Sequence, residues 1–195
     1  MRCQGIKPSE VRRMPWRNGG GTTLEVAVDP PGATLETGFR VRLSSAEVAA
    51  SGPFSAFPGL ERWLLLLDGA GFDLDFGPHG QVELRNPLVP IRFPGDWPAS
   101  ASLVEGPCTD FNVMVDPRRC QARVEALRLA FPRAVPVPAG STQWLFIAGG
   151  TLYVPEADLH LGQRHALRAE DGPGALQLIP GYGGATLVVV GISDC

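Results

Sequence analysis

The stretch Phe72-Asp73-Leu74-Asp75-Phe76-Gly77-Pro78-His79-Gly80-Gln81-Val82-Glu83-Leu84 decides the fold class. Apolar and acidic residues alternate strictly over 72–76, and the alternation resumes at Val82-Glu83-Leu84. A period of two sends successive side chains to opposite faces of a strand. Gly77-Pro78-His79-Gly80 supplies turn chemistry between the runs, so the whole reads as a β-hairpin with a four-residue loop. Phe39-Arg40-Val41-Arg42-Leu43-Ser44 alternates in the same way. Further strands are expected over 24–28, 63–67, 88–93, 102–104, 111–115, 144–147, 151–154, 176–179 and 186–192. Helix signals are few. Ser9 can cap one or two turns over 10–13, stopped by Pro15. Residues 121–129 read equally as a strand or a short helix.

Composition agrees with an all-β chain. The 24 glycines and 19 prolines among 195 residues favour short strands and tight turns. Hydrophobic residues make up 44%, enough to bury a sizeable core. A net charge of -3 argues against a nucleic-acid binder. The cluster Arg12, Arg13 and Arg17 is too small for a phosphate footprint. The longest apolar run, 63–67, falls far short of the roughly 20 residues that span a bilayer. Residues 1–4 show no apolar signal region, so a soluble cytoplasmic protein is expected, with no membrane partner. Cys3, Cys108, Cys120 and Cys195 form no C-x-x-C pair and are expected as reduced thiols.

A repeat organises the chain. The first half runs from apolar residues 64–68 through Gly69-Ala70-Gly71 to 72–76, then Phe93-Pro94-Gly95-Asp96 and Ser102-Leu103-Val104. The second runs from 145–148 through Gly149-Gly150 to 151–154, then Ile179-Pro180-Gly181-Tyr182 and Thr186-Leu187-Val188. Two similar halves of under 100 residues fit paired small barrels, which remove exposed edges by closure. The halves are expected at 1–131 and 132–195, with Pro132, Pro136 and Pro138 marking a linker over 132–140.

One segment concentrates groups with chemistry: Pro15-Trp16-Arg17-Asn18-Gly19-Gly20-Gly21-Thr22-Thr23-Leu24-Glu25. Three glycines permit positive φ and close approach of backbone N–H groups to an anion. No Lys follows them and no helix pattern does, which removes a Walker loop and a dinucleotide fingerprint. The plain reading is a turn entering a strand. Against it stand Trp16, Asn18, Thr23 and Glu25, which can stack, donate and accept.

The pattern W-[KR]-N-G-G-G-x-T-x-E at 16–25 resembles the N-terminal signature of the HutD/Ves family. Residues 39–44 resemble its second strand. The stretch 52–62, G-P-F-S-A-F-P-G-L-E-R, is similar to its G-P-F-S-x-F-P-G-x-x-R motif, and 93–97 and 106–114 match as well. The matched motifs fall roughly within 10–115. The resemblance implies an all-β bicupin, two cupin-like barrels, with a pocket in the N-terminal one. Members are associated with histidine utilisation, or with cold and stress response, and carry no settled enzymatic activity.

Alternation then nominates the pocket. Arg42 and Ser44 share one strand face, and Asp110, Asn112 and Met114 share another. Such faces meet water in an open sandwich and the lumen in a barrel; lying within matched motifs, they are expected in the lumen. The candidate ligand-binding set is Trp16, Asn18, Gly19, Gly20, Gly21, Thr23, Glu25, Arg42, Ser44, Arg62, Asp110, Asn112 and Met114. A sheltered Arg suits a carboxylate through parallel N–H···O bonds. Asp110 is expected to pair with Arg42 when no ligand is present. Arg62 reads either as a pocket or as a surface residue. His79, His160 and His165 lack the paired-His pattern of metal cupins, so no metal or other cofactor is expected. No catalytic residue is assigned: Ser44, Ser45 and Ser55 have no histidine nearby in sequence, and Cys108 reads as a small side chain. The expected function is non-enzymatic binding of a small polar or carboxylated metabolite, such as urocanate or formylglutamate, modulating histidine utilisation or a stress response. The alternative is a metal-free isomerase or hydrolase with Glu25 or Asp110 as general base. A third reading is a structural interaction protein with solvated strand faces. A homodimer is expected on the ground of the resemblance.

Overall fold

The computed structural model describes residues 1–16, 19–172 and 174–195. Strands dominate: β1 (Arg2–Ile6), β2 (Arg12–Pro15), β3 (Gly21–Asp29), β4 (Val41–Val48), β5 (Gly52–Phe54), β6 (Glu61–Asp68), β7 (Phe72–Asp75), β8 (Gln81–Leu84) and β9 (Ile91–Pro94). They continue as β10 (Ala99–Leu103), β11 (Cys108–Val115), β12 (Cys120–Leu129), β13 (Arg133–Val137), β14 (Ser141–Val154), β15 (Leu159–Leu161), β16 (Ala166–Glu170) and β17 (Gly174–Asp194). The other regular elements among the described residues are single 3-10 turns at Pro8–Glu10, Gly77–His79 and Pro155–Ala157. No described helix is long and apolar enough to cross a membrane.

The chain divides into two compact units. Val11–Arg119 forms one. Its six-stranded antiparallel sheet has the order β2-β3-β4-β11-β6-β9, and a four-stranded sheet has the order β5-β10-β7-β8. Leu64 and Leu66 from the first sheet and Phe72, Leu74 and Leu84 from the second pack into one apolar cluster. Met1–Glu10 and Cys120–Cys195 form the other unit, around the path β1-β16-β14-β17-β12. There β13 pairs with β17 and β15 with β14. Leu145, Ile147, Leu167, Leu176 and Leu187 lie in its core. All these strand paths have free ends.

The 72–84 hairpin forms, with Phe72 opposite Leu84 and Asp75 opposite Gln81. Other expectations need correction. The helix over 10–13 is replaced by the 3-10 turn Pro8–Glu10 and strand β2, because Arg12–Pro15 finds a ladder on β3. Residues 121–129 are strand: nine consecutive pairs on β17 outweigh the helix propensity of Ala, Glu, Arg and Leu. The expected linker contains β13, paired with β17 from Arg133 to Val137, and the chain passes between the two units at 10/11 and at 119/120. The strand expected over 88–93 starts at Ile91, since Leu88 takes φ +70°. Residues 144–154 stay in one strand, with register shifts at Ile147/Gly149 and Gly150/Leu152 where a turn was expected.

Candidate functional site

The glycine-rich turn places Trp16. The Trp16 N–H donates to the Gly21 carbonyl at 2.9 Å, and the Gly19 N–H donates to the Trp16 carbonyl at 3.1 Å. Gly19 needs its glycine for φ +71°. Gly21 needs its own for space: a Cβ there would lie 2.4 Å from the Glu47 carbonyl oxygen and 3.0 Å from the Trp16 ring. The indole thus lies over Gly21, donates to Thr23 Oγ1 at 2.8 Å and meets Phe54 edge-on at 6.0 Å.

Register sorts the inner face of the six-stranded sheet into rows. Across β4, β11 and β6, one row is Arg42, Met114 and Arg62. The next is Ser44, Asn112 and Leu64, with Glu25 of β3 opposite Ser44. The third is Ala46, Asp110 and Leu66, with Thr23 opposite Ala46. These rows floor a cavity of about 870 Å³, polar where Arg, Asn and Asp replace the leucines of the adjoining core.

The cations of the floor differ in their partners. Arg42 Nε donates to Glu25 Oε2 at 2.7 Å. This corrects the expected Arg42–Asp110 pair: Asp110 stands opposite Ala46, four residues from Arg42 and so about 13 Å along the strand. Arg62 is buried, 3% exposed, and no described carboxylate lies within ion-pair distance. Its Nη1 donates to the Ser55 carbonyl at 3.3 Å, and its Nε has no acceptor among the described residues. The guanidinium carbon sits 5.0 Å from the ring centroids of Phe57 and Phe93. Burial pushes Arg62 down to about 10, against the pull of Asp110 and helped by the like charge of Arg42. Asp110 is 2% exposed, and burial pushes it up to about 7 despite the Arg62 charge and a hydrogen bond from the Ala46 backbone. Asp110 Oδ1 and Asn112 Oδ1 are both buried without a donor among the described residues.

Of the sequence-nominated residues, Trp16, Thr23, Glu25, Arg42, Ser44, Arg62, Asp110, Asn112 and Met114 line this cavity. Gly19, Gly20 and Gly21 do not; Gly19 donates its N–H to the Trp16 carbonyl, and Gly21 lies beneath the indole. Asn18 lies outside the described residues. Sequence reasoning missed Arg12 and Met14 on β2, the 33–36 loop, Phe39, and Phe54, Ser55 and Phe57. The last three belong to the G-P-F-S-x-F-P-G stretch, which was a usable signal. The loop carried none, since Leu35 is 59% exposed and reads as surface. His79 stacks on Trp97 and His160 on Tyr153. No group of three or more metal-ligating side chains occurs among the described residues.

The HutD family model matches residues 8–185. The chain belongs to the HutD family. It is similar to Protein Ves of Citrobacter koseri, 38% identical over 63% of this chain and 64% of that one. The chain thus matches less than two thirds of that relative's length. Two solved structures resemble it over essentially the whole length of both chains at 30% identity. They are the conserved protein PA5104 of Pseudomonas aeruginosa PAO1, TM-score 0.89, and HutD of Pseudomonas fluorescens SBW25, TM-score 0.84. More distantly, the bacterial pirin YhhW of Escherichia coli matches 99% of each chain at 12% identity and TM-score 0.66. That likeness shows the fold alone: the chain is all-β and cupin/pirin-like in fold.

Proposed function

We propose that this HutD-family chain binds a small carboxylated metabolite in the Val11–Arg119 cavity, and so modulates histidine utilisation or a stress response without catalysis. The observation that carries the reading is Arg62: a cation 3% exposed, on the cavity wall, with no carboxylate partner among the described residues. An unpaired buried charge is expensive, and a ligand carboxylate offsets that cost through charge-assisted hydrogen bonds. Phe57 and Phe93 hold the guanidinium, so little side-chain freedom is lost on binding. Calorimetry with urocanate and with formylglutamate tests it. Heat of binding is expected for at least one of them, with affinity at least tenfold weaker in Arg62→Met. No heat from either at millimolar concentration, with the protein folded, rejects the reading.

The same proposal includes two cupin-like halves related by duplication, a cytoplasmic location, a homodimer, and no nucleic-acid or membrane partner. Light scattering of the purified protein checks the dimer. A second reading, a metal-free isomerase or hydrolase, draws on one observation: Asp110, pushed up to about 7, is poised as a general base. Glu25 is less suited, because Arg42 occupies it at 2.7 Å. Turnover of a bound acid, abolished by Asp110→Asn, would favour the enzyme over the binder.

A further inference from the structure

The cavity is roomy for a small acid. At about 870 Å³ it lies toward the upper end of ligand pockets, which run to roughly 1,000 Å³ and hold drug-sized molecules. A small metabolite leaves much of that space to water unless a wall closes on it. The floor strands β3, β4, β11 and β6 are fixed to one another by continuous ladders. The segment joining β3 to β4 is not held in that way.

Residues 30–39 form an Ω-type loop whose ends meet: the Arg40 N–H donates to the Asp29 carbonyl at 2.7 Å. The loop is fastened to itself. The Thr34 N–H donates to Thr37 Oγ1 at 2.9 Å, and the Thr37 N–H donates to Thr34 Oγ1 at 3.2 Å. The Gly38 N–H donates to the Thr34 carbonyl at 2.9 Å. Among the described residues, no hydrogen bond or ion pair of 30–38 reaches outside the loop. Gly32 at φ +79° and Gly38 at φ +76° bracket this knot, and glycine offers the least steric resistance to rotation there. Beyond Gly38, buried Phe39 anchors the chain to the body of the unit.

The face that the knot turns to the cavity is Ala33, Thr34, Leu35 and Glu36. Leu35 lines the cavity and is still 59% exposed. An apolar side chain at an open rim gains burial once something occupies the space beside it. Two independent observations thus agree: a space larger than a small acid needs, and a self-contained loop at its rim with an unburied leucine.

We propose that 31–38 is a lid, which turns about Gly32 and Gly38 as one tile and lays Leu35 over the bound acid. The lid goes beyond the carboxylate reading above but rests on it. Closure buries Leu35 and expels water from beside Arg62, and the bonds from Arg62 to the carboxylate strengthen in the drier site. Closure follows encounter, so the lid slows release and leaves entry nearly unchanged.

Amide exchange and stopped-flow kinetics on the full chain test this, with urocanate and formylglutamate as probes. The 33–38 amides of the free protein exchange fast, because the loop carries no bond to the rest of the fold. On saturation with acid they are expected to slow by about tenfold or more, while Gln81–Leu84, in the other sheet of the unit, keeps its rate. In Leu35→Ser the dissociation rate is expected to rise by about tenfold or more, with the association rate within about twofold. Leu35→Met, of like volume and polarity, restores slow release. Leu35 is exposed, so neither variant threatens folding. Unchanged exchange in the saturated protein, or equal dissociation rates in wild type and Leu35→Ser, overturns the lid and leaves the carboxylate site standing. Binding of neither acid overturns the carboxylate reading and the lid with it.

Discussion

Asp110 carries a consequence for stability that needs no ligand. Its carboxyl is pushed from an ordinary 3.8 up to about 7 by burial. The folded state therefore holds this proton between those values while the unfolded state has released it. Stability from Asp110 is full below about pH 4 and is lost as pH rises to about 7. The loss is at most roughly 1.4 kcal/mol for each pH unit between the two values. Asp110→Asn removes the ionisation. Urea unfolding at pH 4.5, 6 and 8 should show the variant gaining on the wild type as pH rises, by on the order of 1 kcal/mol or more overall. A difference between the two proteins that stays constant with pH would contradict a buried, proton-holding Asp110.

The glycine turn acts as an element, and its glycines are not equivalent. Gly21→Ala drives a methyl against the Glu47 carbonyl and the Trp16 ring. Overpacking of this kind costs about 1–3 kcal/mol. It also moves the indole from its place on the cavity wall, so carboxylate affinity should fall with melting temperature. Gly19→Ala meets nothing within 4 Å but sits at φ +71°. That substitution costs about 1–2 kcal/mol of backbone strain and should leave affinity within about twofold. Thermal unfolding and calorimetry on the two variants separate the effects. Equal losses of affinity would mean that the turn contacts ligand directly.

At the scale of the whole molecule, the chain's first strand belongs with its last third. Arg2–Ile6 pairs residue by residue with Ala166–Glu170, from Arg2 opposite Glu170 to Ile6 opposite Ala166. Arg2 also forms ion pairs with Glu170 and Asp171. Removing residues 1–6 turns β16 into an edge strand, and amide exchange over Ala166–Glu170 should accelerate by tenfold or more. The cavity lies wholly within Val11–Arg119, so carboxylate affinity should persist. Loss of affinity with no acceleration in β16 would reverse that assignment.

The sequence by itself determined the strand class, the hairpin at 72–84, and which side chains share a face. Arg42 with Ser44, and Asp110 with Asn112 and Met114, followed from period two alone, because alternation is a local property of the strand backbone. The motifs at 16–25 and 52–62 also marked two walls of the cavity. Tertiary structure decided what depends on partners distant in the chain. Residues 121–129 became strand because β17 offers them nine pairs, and 133–137 joined a ladder in what reads as a proline-rich linker. The partner of Arg42 was decided by register, which brings Glu25 to it and leaves Asp110 two rows away. Arg62, ambiguous in the sequence, is buried because Phe57 and Phe93 close over it. Burial and pairing are sums over non-local contacts, and no local period encodes them.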